Sequence, residues 1–116
     1  MLQEELVTHE VAKLAGKKGF PVKEIECWHY EYDGHPTKEI IDEQQYPILT
    51  QSLLQRWLRE EKFIDIEIYP IFINGVKVYT ACIYASNLNK PKKFNYFDTY
   101  ELVLEDVLKY ALENLV

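Results

Sequence analysis

The sequence predicts an α+β domain: a small antiparallel sheet with a central Asn-Gly β-hairpin and about three helices packed on one face. Three observations carry this. Asn74-Gly75 separates two runs rich in β-branched and aromatic residues, Ile64 to Ile73 and Val76 to Ala85. Three other segments repeat apolar residues at helical spacing. The chain has 116 residues, 47% of them hydrophobic, which fits one domain over 1–116 with a single core.

The first helix is expected from about Thr8 to Lys18. Thr8 is a capping residue, Val11, Ala12, Leu14 and Ala15 make an apolar stripe, and Gly19 sits where a left-handed cap closes a helix. Phe20-Pro21 stops it. Ile25 to Tyr32, ended by Asp33-Gly34, reads as a strand with Trp28, Tyr30 and Tyr32 on one face and Cys27, His29 and Glu31 on the other. His35 to Tyr46 reads as a loop, with a short strand around Lys38 to Ile41. A second helix follows Thr50, its apolar side formed by Leu53, Leu54, Trp57 and Leu58, while Gln51, Gln55, Arg56, Arg59 and Glu60 face water or a partner. The third helix runs from about Thr99 to Leu115. Asp98 and Glu101 fit a capping box, and Tyr100, Val103, Leu104, Val107, Leu108, Ala111, Leu112 and Leu115 form its stripe.

The hairpin register can be worked out in advance. An Asn-Gly connection calls for a two-residue type I′ turn, because both central residues take positive φ. Pairing Ile73 with Val76 then sets Ile68 opposite Ala81, Ile66 opposite Ile83 and Ile64 opposite Ala85 on one face. Asp65 with Tyr84, Glu67 with Cys82, Tyr69 with Thr80 and Ile71 with Val78 occupy the other. Pro70 has no amide donor and marks its strand as an edge or a bulge.

Pro47 to Glu60 resembles the "P-T-Q-S-L-L-Q-K-W-L-R-E" stretch of small uncharacterised proteins from phages and prophage-like elements of Bacteroidetes-type bacteria. Thr99-Tyr100-Glu101 with Leu104-Glu105, Leu108 and Ala111-Leu112 is similar to their closing "S-Y-E-x-A-L-E-x-G-L-x-x-A-L" block, and Thr8 to Phe20 also fits. Ile48-Leu49 intrude in the first block, and Val103 and Val107 replace small residues in the last. The resemblance implies a phage or mobile-element origin and a bacterial cytoplasm, with no activity attached. Each block also has a packing explanation, since Thr50 and Asp98 or Thr99 are caps and Trp57, Leu58, Leu104 and Leu108 are core.

Charge and composition narrow the function. Thirteen Lys and Arg against nineteen Asp and Glu leave a net charge of -6, which repels a phosphate backbone at long range. The local exception is Lys90, Lys92 and Lys93 followed by Phe94 and Tyr96, a Lys/aromatic loop of the kind that holds single-stranded nucleic acid. No run of about 18 apolar residues suggests a membrane span. Met1-Leu2-Gln3-Glu4-Glu5 lacks the basic start of a secretory signal, so the cytoplasm is the expected compartment, with Cys27 and Cys82 as free thiols.

Cys27, His29 and Glu31 with His35 beyond the turn could offer a metal a thiolate, imidazoles and a carboxylate, but the spacing matches no recognised ligand set. Asp65 and Glu67 sit on an exposed strand without the apolar surroundings that acid–base catalysis needs. No phosphate loop or hydrolase motif is present. The expectation is therefore no catalytic residue, cofactor or metal. Nine Tyr, five Phe and two Trp exceed what so small a core can hide. Exposed Tyr69, Ile71 and Tyr84, or Arg56 and Arg59 on the second helix, are the expected contact residues for a protein partner or a second copy of the chain, unless a helix or the strand with Trp28 and Tyr30 covers that sheet face within the same chain. The single-strand binder using Lys90, Lys92, Lys93, Phe94 and Tyr96 is the alternative.

Overall fold

In a computed structural model, the chain is described for residues 5–21, 27–30, 36–37, 46–47 and 49–116, with backbone alone at 27–30, 36–37 and 46–47. The described elements are α1 (His9–Lys17), β1 (Cys27–Tyr30), β2 (Pro36–Thr37), β3 (Tyr46–Pro47), α2 (Gln51–Glu61), β4 (Ile64–Ile73), β5 (Val76–Ala85), β6 (Lys92–Lys93) and α3 (Tyr100–Asn114).

Local chemistry sets the helix ends. Thr8 Oγ1 accepts the Val11 amide at 3.3 Å. At the other end of α1 the Phe20 amide bonds the Ala15 carbonyl at 3.0 Å and the Gly19 amide that of Gly16 at 3.3 Å, with Gly19 at φ +101°. That 6→1 and 5→2 pair is a Schellman motif, which needs the left-handed residue glycine supplies. At the start of α2, Thr50 Oγ1 accepts from the Leu53 amide at 3.1 Å, while the Gln51 amide donates to the Glu5 carbonyl at 2.8 Å. Two amides that the helix itself cannot satisfy thus find partners.

The hairpin adopts the register that its turn chemistry requires, with Ile73 opposite Val76 and Ile64 opposite Ala85. Asn74 and Gly75 take φ of 51° and 80°. The sheet runs β4-β5-β6, all antiparallel. Its inner face contributes Ile64, Ala81 and Ile83 to a core shared with Val11, Ala15, Leu54, Leu58, Val103, Val107, Leu108 and Leu112. Helices α2 and α3 lie against the hairpin, and α1 packs on α3. No described helix is long and apolar enough to cross a membrane.

The structure corrects several expectations. A second sheet, ordered β2-β1-β3, pairs His29 with Thr37 and Trp28 with Tyr46. It replaces part of the expected loop, although Lys38 to Ile41 and the turn at Asp33-Gly34 lie outside the described residues. Lys92 and Lys93, read as loop, form β6 because the open edge of β5 offers backbone groups, and the Phe94 amide takes the Ala81 carbonyl at 3.0 Å. The cap of α3 is Thr99 and not Asp98, its Oγ1 accepting from Leu102 at 3.2 Å. Gln51, expected to face outward, is only 4% exposed.

Candidate interaction surface

Because side chains alternate across a sheet, placing Ile64, Ile66, Ile68, Ala81 and Ile83 on the helix side turns Asp65, Glu67, Tyr69, Ile71, Val78, Thr80, Cys82 and Tyr84 to the other face. Tyr84 is 43% exposed, and Tyr69 and Ile71 are half-buried. Val78, Thr80 and Cys82 on the central strand are buried. The expected placement of Tyr69, Ile71 and Tyr84 thus holds, with Glu67 and Lys93 flanking Cys82 in a single row.

The free edge of β4 is closed to a further strand. A two-residue hairpin makes Ile73–Val76 a hydrogen-bonded pair, so residues 72, 70, 68, 66 and 64 turn their N–H and C=O groups outward. Tyr79, opposite Pro70, correspondingly exchanges bonds of 2.9 and 2.8 Å with Phe97 on its far side. At the edge, Pro70 has no donor and the Ile66 carbonyl is taken by Gln55 Nε2 at 3.2 Å. Both devices oppose edge-to-edge pairing, leaving the sheet's face rather than its edge open to a partner.

Within the face, the Cys82 side chain, through its hydrogen bond and then its charge, holds the Tyr84 phenol above its ordinary 10.0, and Glu67 adds to the effect. Cys82 itself is a buried free thiol.

Arg56 and Arg59 lie elsewhere, on the exposed flank of α2, which packs by its other side on the inner face of the sheet. Arg56 Nε is tied to Glu60 at 3.0 Å, one turn away. Arg56 borders an open groove of about 550 Å³ between residues 19–21 and α2, where Phe20 and Trp57 meet edge to face at 5.3 Å and Lys62 Nζ stands 5.2 Å from the Trp57 ring centroid. The two sets of expected contact residues therefore belong to separate surfaces.

The Lys/aromatic segment is partly committed to folding. Phe94 packs on the core and against Tyr110 at 5.3 Å, and Lys92 Nζ lies 5.7 Å from the Phe94 ring and 5.3 Å from that of Tyr110. Lys90, Lys92, Lys93 and Tyr96 are exposed. A base cannot stack on a ring that already serves the core and a lysine.

Two features escaped the sequence reading. Phe63 follows α2 at φ 56° with its side chain 72% exposed, an aromatic residue in a position where glycine is usual. The only sequence signal was its place directly after the helix. Secondly, Glu105 joins three elements: its Oε2 accepts from the Thr8 amide at 3.0 Å and Thr8 Oγ1 at 2.7 Å, and its Oε1 from Gln51 Nε2 at 3.1 Å. Gln51 Nε2 also reaches the Glu101 carbonyl at 2.9 Å. The junction thus ties the start of α1, the start of α2 and the middle of α3 together.

Among the described residues no cluster of His, Cys, Asp and Glu is placed to hold a metal. The side chains of Cys27, His29, Glu31 and His35 lie outside the described residues. No family model matches the chain, and neither a curated protein nor a solved structure matches it.

Proposed function

We propose that the chain is a non-enzymatic binding or assembly module, of the phage or mobile-element kind its resemblance implies, acting through protein–protein contact on the outer face of the β4-β5-β6 sheet. The observation that supports this is the division of the sheet. The inner face shares one core with all three helices, whereas Tyr69, Ile71 and Tyr84 stand on the face turned away from that core. Half-exposed aromatic and aliphatic side chains bordered by charges have the composition of an interface centre and rim. A β4 edge blocked by Pro70 and Gln55 directs association to the face.

The test is sedimentation velocity of fluorescently labelled chain, alone and in clarified bacterial extract, beside an Ile71→Arg variant whose substitution places a charge on the outer face. The reading expects a species heavier than the 13.8 kDa chain in at least one condition, abolished by Ile71→Arg. A monomer in both conditions, or a complex indifferent to Ile71→Arg but lost in Arg56→Glu, overturns it.

A further inference from the structure

We infer that the occupant of this face is a second copy of the chain, packed about a two-fold axis that runs along β5, so that Glu67 of each copy meets Lys93 of the other. The inference rests on the sheet face being the contact surface and adds its partner and geometry.

A two-fold axis makes every residue on it meet itself, so such residues must tolerate self-contact. Along the outer side of β5 these are Val76, Val78, Thr80, Cys82 and Tyr84, all uncharged, with Tyr84 the one large side chain that would stack on its own copy. The charges lie off the strand and are of opposite sign on its two sides: Glu67 pairs with Cys82 from β4, and Lys93 pairs with the same Cys82 from β6. Rotation about β5 exchanges the two sides, which sets each Glu67 over a Lys93. Packed sheets lie about 10 Å apart, a gap that a lysine and a glutamate side chain span together. Their usual relative rotation of about 30° shifts an adjacent strand by only about 2.5 Å. The other in-plane axis, perpendicular to the strands, stacks β4 on β4 and leaves Glu67 and Lys93 without opposite charges.

The area available sets the strength. The two ten-residue strands and the two-residue β6 cover on the order of 350 Å² per copy, below the roughly 800 Å² per partner of a stable interface. The dimer is consequently weak, and the measurement must reach high concentration.

The experiment is sedimentation equilibrium of the full chain up to about 500 µM, a range suited to a small interface, with wild type, Glu67→Lys, Lys93→Glu and the double variant. Both positions are exposed, and thermal unfolding of each variant checks that it folds. Each single reversal turns two attractive pairs into two repulsive ones and is expected to weaken the dimer about tenfold or more, and the double variant to return within about threefold of wild type. Glu67→Lys is the sharper of the two, because it also reduces the net charge of -6 and would strengthen any association limited by overall repulsion. A wild-type monomer throughout, or a double variant no better than the singles, overturns the inference. If a heavier species forms only in extract and Ile71→Arg abolishes it, the second copy is refuted while the sheet face stands; if none forms at all, both fail.

Discussion

Replacing Glu105 with alanine should destabilise the fold far more than its place on a surface helix suggests. The carboxylate receives the Thr8 amide and hydroxyl and the Gln51 side chain, at 3.0, 2.7 and 3.1 Å. After truncation the Thr8 groups turn to water, at a net cost of about 0.5–1.5 kcal/mol. The Gln51 amide is different, because the residue is 4% exposed and keeps only the Glu101 carbonyl at 2.9 Å. Leaving its second N–H unsatisfied costs about 1–3 kcal/mol. Together these give about 2–4 kcal/mol, or a fall in Tm of roughly 10 °C for a chain of this size. Urea titration followed by circular dichroism measures it, and a cycle with Gln51→Ala should show a coupling of about 1–2 kcal/mol. Glu113→Ala, exposed on the same helix, is the control and should stay within about 0.5 kcal/mol of wild type. A loss of less than about 0.5 kcal/mol for Glu105→Ala, or no coupling to Gln51, would refute the reasoning.

Phe63→Gly removes an exposed side chain and about 1–2 kcal/mol of left-handed strain, set against the extra freedom glycine brings to the unfolded chain; urea titration should show stabilisation by about 0.5–1 kcal/mol. Leu58→Ala empties a site at 0% exposure and should cost about 2–5 kcal/mol by the same assay, whereas Leu102→Ala, on an exposed flank of α3, should stay near wild type. Stability should decline above pH 10. The folded phenol of Tyr84 is raised above 10.0, and the Lys109 amine above 10.5 by its hydrogen bond to Glu10 at 2.8 Å, so each contribution is present below the ordinary value and lost as pH rises through the raised one. Tyrosine absorbance at high pH should lose a step lying above 10.0 in Tyr84→Phe, and NMR titration of Lys109 should move to lower pH in Glu10→Gln.

The parts of the fold that were readable in advance depend on neighbours in sequence. Thr8 and Thr50 cap the helices that follow them because a hydroxyl reaches an amide three residues on. Gly19 closes α1, and Asn74-Gly75 sets all ten pairs of the hairpin, because positive φ is a local preference. The choice between Asp98 and Thr99 was open by one position, since adjacent capping residues offer the same chemistry. Tyr69, Ile71 and Tyr84 fall on the outer face because alternation follows from the register, whereas nothing in the sequence relates Arg56 and Arg59 on α2 to the sheet.

Sequence alone determined the hairpin, its register, the N-caps of α1 and α2 and the division of β4 and β5 into two faces, all consequences of dihedral preferences and of periods of 2 and 3.6 residues. Only the tertiary structure decided that Gln51 turns inward to Glu105, that Gln55 covers the edge beside Pro70, that Phe94 packs on the core against Tyr110, and that Lys93 lines up with Glu67 across Cys82. Each of these joins groups at least eleven residues apart in the chain, where no local rule operates. The partners become adjacent only once burial of the shared core has brought their elements together.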